Sequence, residues 1–261
     1  MSLDIGTKIN SLLSELPEGA VATTPWLLKI GVSPQLVSRY EASGWLHTLG
    51  YGAYVRSLEK LDWPGALYAL QTQCGLDVHL GGKSALELHH ALHFVPQSRN
   101  FSSLFLFKRR EKKLPPWFLK YPAWATRLVV KPSTLFAAEK LGLTTYTYQS
   151  LVVGVSSPER AILELLSFVP RKQTLEEALL ILEGLANLRP KLIQELLEKC
   201  DSIKVKRLFL ALSKQCGHAW YKQLSLSNID LGKGPRRIAS GKKYDSEFLI
   251  TVPKQQEESD E

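Results

Sequence analysis

The stretch from Thr23 to Arg56, TTPWLLKIGVSPQLVSRYEASGWLHTLGYGAYVR, constrains the fold more than any other part of the chain. Thr24 can cap a short helix with Pro25 at its first position, Trp26, Leu27 and Ile30 give that helix an apolar side, and Gly31 stops it. Ser33 and Pro34 then supply the N-cap and first position of a second helix. On it Leu36, Val37 and Tyr40 form a stripe to bury, while Gln35, Ser38, Arg39 and Ala42 share the opposite face, as a helix that reads base edges in a groove requires. After Gly44 the run WLHTLGYGAYV alternates large apolar residues around Gly50-Tyr51-Gly52, the pattern of a two-stranded hairpin with a sharp tip. A small three-helix module shares these local signals. Helix, short turn, helix and hairpin in this order and at these lengths favour a winged helix-turn-helix. Gln35, Arg39, Tyr51 and Arg56 are then the first candidates to touch DNA, with Ser33 and Ser38 beside them, whereas Trp45, Leu46, Leu49 and Tyr54 are expected in the core.

The remainder of the 261 residues is long enough for two further domains. An apolar helix of Ile5, Ile9, Leu12, Leu13 and Leu16 should cover the back of the head, which is expected to span 1–58, with SLEKLDWPG as its edge. Over 63–156 helical and strand signals mix: GALYALQTQC and KSALELHHALH read as helices, and DVHL, FSSLFLF, ATRLVV and YTYQSLVVGV as strands. From 157 to 253 the pattern is mainly helical. Ser157-Pro158-Glu159 opens it, Thr174 with Glu177 is a capping box, and Gly217 is a final cap. The helix EEALLILEGLA is apolar nearly all round and so should be central, a partner surface being the alternative. A basic, strand-like end follows, and 254–261 is expected to be a disordered acidic tail. The class is α+β.

Charge bears on partners. Lys and Arg number 33 against 25 Asp and Glu, a net charge of +8, and the last five residues, EESDE, hold four of the acids, so the body is more basic still. Such a field favours polyanions, and counts as evidence because it accompanies a DNA-docking pattern. Lys233, Arg236, Arg237, Lys242 and Lys243 form a second candidate basic patch, to be weighed against a solvated hairpin. The run KRREKK, Lys108–Lys113, reads as an exposed turn that can support contacts to nucleic acid or merely carry solvated charge. No apolar run approaches the roughly 20 residues of a membrane span, and MSLDIGTKIN has neither a basic nor an apolar signal-peptide region, so a cytoplasmic protein without membrane partners is expected. Cys74, Cys200 and Cys216, odd in number and at no metal-site spacing, read as buried free thiols of a reducing compartment.

Catalytic patterns fail on spacing. Gly82-Lys83-Ser84 resembles the end of a phosphate-binding loop, but the glycine required five positions earlier is Asp77. His89, His90 and His93 can pair on one helix, yet no Cys or carboxylate stands at companion spacing and there is no HExxH arrangement. No nucleophile with a matched base can be assembled. No catalytic residue, metal or cofactor is therefore expected, and the protein is read as no enzyme.

The winged helix ending in GWLHTLGYGAYV, together with DWPGALYAL, GGKSALELHH, YTYQSLVVGVSSPERAILELL and the closing LGKGPRRIASGKKYDSEFLITVP, resembles the AbiEi antitoxins of type IV toxin–antitoxin systems over nearly the whole chain. The resemblance implies a bacterial antitoxin that represses its own operon by binding double-stranded promoter DNA through its N-terminal domain. It also implies a cognate nucleotidyltransferase-like toxin as partner, opposed without a stable complex. Basic residues of the head would contact DNA, and Lys29, Arg39 and Arg56 stand at fitting positions. Two readings from other classes stay open beside it: a DNA-directed nuclease, against which the missing acidic metal ligands speak, and a protein-interaction module built on the helical half.

Overall fold

The protein is described by a computed structural model over residues 2–56, 61–89, 103–136, 140–235 and 243–252, the side chains of 2–8, 243, 251 and 252 excepted. The chain opens with helix α1, Ser2–Glu15, then a short strand β1, Ala22–Thr23, helices α2, Thr24–Lys29, and α3, Pro34–Ala42, and a hairpin of β2, His47–Gly50, with β3, Ala53–Val55. β3 lies between β1 and β2 and is antiparallel to both. This is the element order and sheet pairing expected of a winged helix. Its core is the stripe read from the sequence: Leu12 and Leu16 of α1 meet Leu27, Leu36, Val37, Tyr40 and Leu46, with Ile9, Leu13, Trp26 and Ile30 packed at the margin. Each fully buried leucine contributes roughly 2 kcal/mol.

Helix α4, Trp63–Tyr68, follows and runs on into a π turn, Ala69–Gln73. The expected domain edge SLEKLDWPG lies partly outside the described residues, at 57–60, but its end is no linker. Asp62 Oδ1 accepts the Trp63 amide at 2.7 Å and caps α4, whose first residues are buried. Gly65 lets the backbone of Gly19 through: a Cβ there would stand 1.8 Å from the Gly19 carbonyl oxygen. The π turn then presents two glutamines that act as pieces of backbone. Gln73 accepts from the Thr23 amide at 2.8 Å and donates to the Val21 carbonyl at 2.7 Å, completing the edge beside β1. Gln71 accepts from the Gly154 amide at 2.8 Å and donates to the carbonyls of Gly154 and Val78 at 3.0 and 2.7 Å.

β4, Val78–Leu80, α5, Gly82–Leu88, β5, Leu104–Lys108, two single-turn helices α6, Pro116–Leu119, and α7, Pro122–Ala125, and β6, Leu128–Pro132, come next. β7, Leu143–Tyr148, and β8, Leu151–Ser156, divide the run YTYQSLVVGV at Gln149, whose φ is 54°. The five strands are ordered β6-β5-β4-β8-β7, with β5 and β6 parallel.

The rest is helical: α8, Pro158–Leu166, α9, Leu175–Glu183, α10, Pro190–Lys199, and α11, Ile203–Cys216, before two short 3₁₀ turns and the antiparallel pair β9, Lys243–Asp245, and β10, Ile250–Val252. The N-caps and the closing glycine are those the sequence marks, but the expected capping box is only half formed, because the Glu177 carboxylate takes Lys83 instead of reaching back to Thr174. Ser157 accepts the Arg160 amide, Thr174 accepts the Glu177 amide at 3.1 Å, and Gly217 closes α11 with φ 68°. α9 departs from its all-round apolar reading: Ala178, Ile181 and Leu182 are buried, but Leu180 is 64 % exposed, so one side faces solvent.

By contacts the chain forms two compact units. The first gathers Met1–His79, Ser102–Pro132 and Thr145–Val155, the second Leu80–Phe101, Ser133–Thr144 and Ser156–Glu261. The sequence reading divides the chain into consecutive pieces, whereas the units join separated ones. The Gln73 bridge and Gly65 bind the segment after residue 61 to the N-terminal helices and hairpin, the Gln71 bridge binds it to β8, and these contacts at separations of about 50 to 80 residues have no local signature.

Candidate nucleic-acid interface

The exposed face of α3 follows from its caps. Ser33 Oγ accepts the Leu36 amide at 3.3 Å and Pro34 sets the first turn, so the helix is phased to bury Leu36, Val37 and Tyr40. Gln35, Ser38, Arg39 and Ala42 are then all exposed. Ser38 Oγ donates to its own helix, to Pro34 O at 3.2 Å, and keeps its lone pairs free to accept. Lys29 is exposed in the last turn of α2.

The wing is fastened at its tip. The Thr24 amide donates to Gly52 O at 2.9 Å, and Gly52, with φ 74°, takes the left-handed conformation the turn requires. Thr24 is the first residue of α2 rather than its cap, a position that falls to Thr23. Register shifts by one residue between Thr48 and Gly50, and Tyr51 stands at the tip fully exposed, at 101 %. The wing contains no Lys or Arg between His47 and Val55.

Two residues of the sequence reading are placed differently. Trp45, expected in the core, is 50 % exposed. The amides of Trp45 and Leu46 both donate to Tyr40 O, at 2.8 and 3.2 Å, and this turn sends Leu46 inward and leaves Trp45 outside. Arg56 lies at the open end of the hairpin, five residues and roughly 16 Å of strand from Tyr51. It is half-buried and donates through Nη1 to Leu13 O at 3.4 Å, in a cleft shared with Glu18, Gly44, Trp45 and Val55. Its first duty is to tie the hairpin to α1. Of the second basic patch, Lys233 is exposed and Lys243 begins β9, while Arg236, Arg237 and Lys242 lie outside the described residues, as does the acidic tail.

The other chemical candidates are tied up in structure. The Gly82 amide donates to Glu164 Oε2 at 3.1 Å, Lys83 Nζ donates to Glu177 at 2.6 Å, and Ser84 is buried. A carboxylate thus stands where a phosphate would need the Gly82 amide. His89 Nε2 is 2.9 Å from Ser156 O, and His90 and His93 lie outside the described residues. Among the described residues no three His, Cys, Asp or Glu gather as metal ligands, and no helix is long and apolar enough to cross a membrane. Of the three free thiols expected to be buried, Cys200 is buried, Cys216 half-buried and Cys74 exposed; desolvation still pushes Cys74 and Cys200 up and Cys216 to about 12, away from the range of reactive thiolates.

Among solved structures the chain is similar to the RV2827C protein from Mycobacterium tuberculosis, with a TM-score of 0.61 at 15 % identity, covering 95 % of this chain and 91 % of that one. At such identity the likeness speaks for the fold alone. No curated protein matches. Two family descriptions match the sequence itself: "Transcriptional regulator, AbiEi antitoxin N-terminal domain" over residues 6–97 and "Transcriptional regulator, AbiEi antitoxin, Type IV TA system" over 102–253. Together they span nearly the whole chain, which therefore belongs to the AbiEi family of transcriptional-regulator antitoxins of type IV toxin–antitoxin systems.

Proposed function

We propose that the protein represses its own operon by binding duplex DNA upstream of it through the winged helix, and that it counteracts a nucleotidyltransferase-like toxin made from the same operon without forming a stable complex with it. One observation carries the DNA reading: α3, capped by Ser33 and buried along one side, leaves Gln35, Ser38 and Arg39 together on an exposed face beside a wing with an exposed aromatic tip. Gln35 has the paired donor and acceptor that read an adenine edge, and Arg39 the fork of donors that reads a guanine edge. Ser38 adds a hydroxyl. Lys29 and Arg39 meet phosphates, and Tyr51 enters the adjoining groove. Arg56, bonded to Leu13 O, is assigned to bracing α1. The family supports the regulatory and antitoxic roles and points away from catalysis.

The test has two arms. A reporter fused to the region upstream of the gene should be silenced by the wild-type chain in trans and released by Arg39→Ala, whose cost to specific binding should be about 1 to 3 kcal/mol. Lys29→Ala should instead weaken binding to all sequences alike and flatten its salt dependence. Unchanged repression by Arg39→Ala removes the assignment of α3. Failure of the wild type to restore growth of cells expressing the neighbouring toxin removes the antitoxin arm.

A further inference from the structure

We propose that the basic turn between β5 and α6 is a second grip on DNA, holding the phosphate backbone beside the wing; this rests on α3 being the recognition helix. The wing needs such a partner. With no Lys or Arg from His47 to Val55, it offers a tyrosine ring but no positive charge to a surface carrying one phosphate per about 1.7 Å of duplex.

The turn supplies that charge in a fixed place. Five of the six residues Lys108–Lys113 are basic, and two of the five hold the turn itself. Lys108 Nζ folds back onto the carbonyls of Arg109 and Arg110 at 2.9 and 3.3 Å, and onto that of Lys112. Arg109 lies 3.7 Å from both Asp77 and Glu111, and its amide donates to Asp77 O at 3.0 Å. The remaining cations, Arg110, Lys112 and Lys113, are exposed, with no carboxylate partner among the described residues.

Both ends of the turn are anchored in the unit that contains the winged helix. On one side β5 pairs with β6 from Leu104 to Lys108. On the other, Leu114, Trp117 and Phe118 are buried, and Trp124 Nε1 donates to Phe118 O at 2.7 Å. Trp117 closes the gap to the wing: a side chain built at Gly50 would meet the Trp117 Cβ at 3.3 Å. Lys113 is four residues from Trp117, at most about 14 Å of chain, so the free cations lie well within one turn of duplex, about 34 Å, of the wing. By closing over three carbonyls of the turn, Lys108 orders the backbone that carries the three exposed cations. A turn facing phosphates meets its ligand with the cost of ordering already met.

The experiment compares wild type with the triple variant Arg110→Gln, Lys112→Gln, Lys113→Gln by fluorescence anisotropy over a salt series. The probes are a duplex of about 40 base pairs from upstream of the gene and its scrambled counterpart, roughly four helical turns each. Circular dichroism checks that the variant is folded. Each phosphate contact adds about 0.9 to the slope of log affinity against log salt, so the variant should be shallower by roughly 2 to 3 on both duplexes while preferring the upstream sequence by the same factor as wild type. Equal slopes and affinities in the two proteins overturn the proposal. A shallower variant slope with no sequence preference in either protein keeps this contact and overturns the recognition-helix reading instead, and no binding by either protein overturns both.

Discussion

Arg39 in the first compact unit and Arg160 in the second are used in opposite ways. In the first, Arg39 projects into solvent from a helix whose stability comes from Leu36, Val37 and Tyr40 on its other side. In the second, Arg160 is fully buried. Its Nε donates to Glu164 at 2.8 Å, Nη1 to Leu141 O at 2.7 Å and Nη2 to Ser133 Oγ at 3.4 Å, and the guanidinium lies 4.8 Å from the Phe136 ring centre. Glu164 in turn accepts from Ser156 Oγ at 2.7 Å and from the Gly82 amide. Arg207, equally buried, is held by the carbonyls of Leu231, Gly234 and Leu249. Exposed charge costs the fold little and stays available to a ligand. Buried charge is bonded inside, although Arg207 Nη2 has no hydrogen-bond partner among the described residues, and belongs to stability.

The largest break in that contrast should come from Arg160→Ala. Removing one partner strands Glu164 without its counter-charge and opens a void at the junction of α5 and α8, so the loss should be roughly 3 to 5 kcal/mol in urea unfolding. A loss under about 1 kcal/mol would mean that the buried network is not what orders this unit.

Glu159 should give a smaller, pH-dependent effect. Burial acts to raise its pKa, but hydrogen bonds from the Arg189 side chain at 2.9 Å, the Arg189 amide at 3.0 Å, its own backbone amide and Ser157 outweigh this and hold it at about 2. With the folded value below the ordinary 4.5, its contribution is complete above about pH 4.5 and is lost as pH falls toward 2. Because Arg189 is 64 % exposed and screened by water, Glu159→Gln should cost only about 1 to 2 kcal/mol at neutral pH. That deficit should vanish near pH 2. An equal deficit at both pH values would contradict the assignment.

Smallest of all should be the effect of Arg39→Ala and Tyr51→Ala on stability, within about 0.5 kcal/mol by thermal unfolding, although both should weaken DNA binding. A large drop in melting temperature from either would collapse the distinction between the two uses of surface and core.

The same contrast separates what was legible in the sequence from what was not. Ser33, Pro34, Gly31, Thr174 and Gly217 act on groups within four residues of themselves, so the two short helices with their turn and the capped helices of the second unit could be read directly, whereas the Glu177 side chain goes to Lys83, 94 residues away. The face of α3 followed from helical spacing. Trp45 misled because hydrophobicity says that a side chain can be buried, while its direction is set by the amide bonds to Tyr40. The glutamines of the π turn, the packing of Trp117 on Gly50 and the burial of Arg160 all depend on residues tens of positions away. The Arg160 and Glu164 pair stands at i and i+4, the spacing of an ordinary surface ion pair, and nothing local marks it as interior.

The central claim is that α3 and the wing read a DNA sequence. It is tested most directly by fluorescence anisotropy of the full-length protein on duplex DNA from upstream of its own gene and on a scrambled duplex, at two salt concentrations. The account predicts a preference of about 10³ or more for the upstream duplex, retained as salt rises. Equal and steeply salt-sensitive binding to both would show a basic field without recognition and would contradict it.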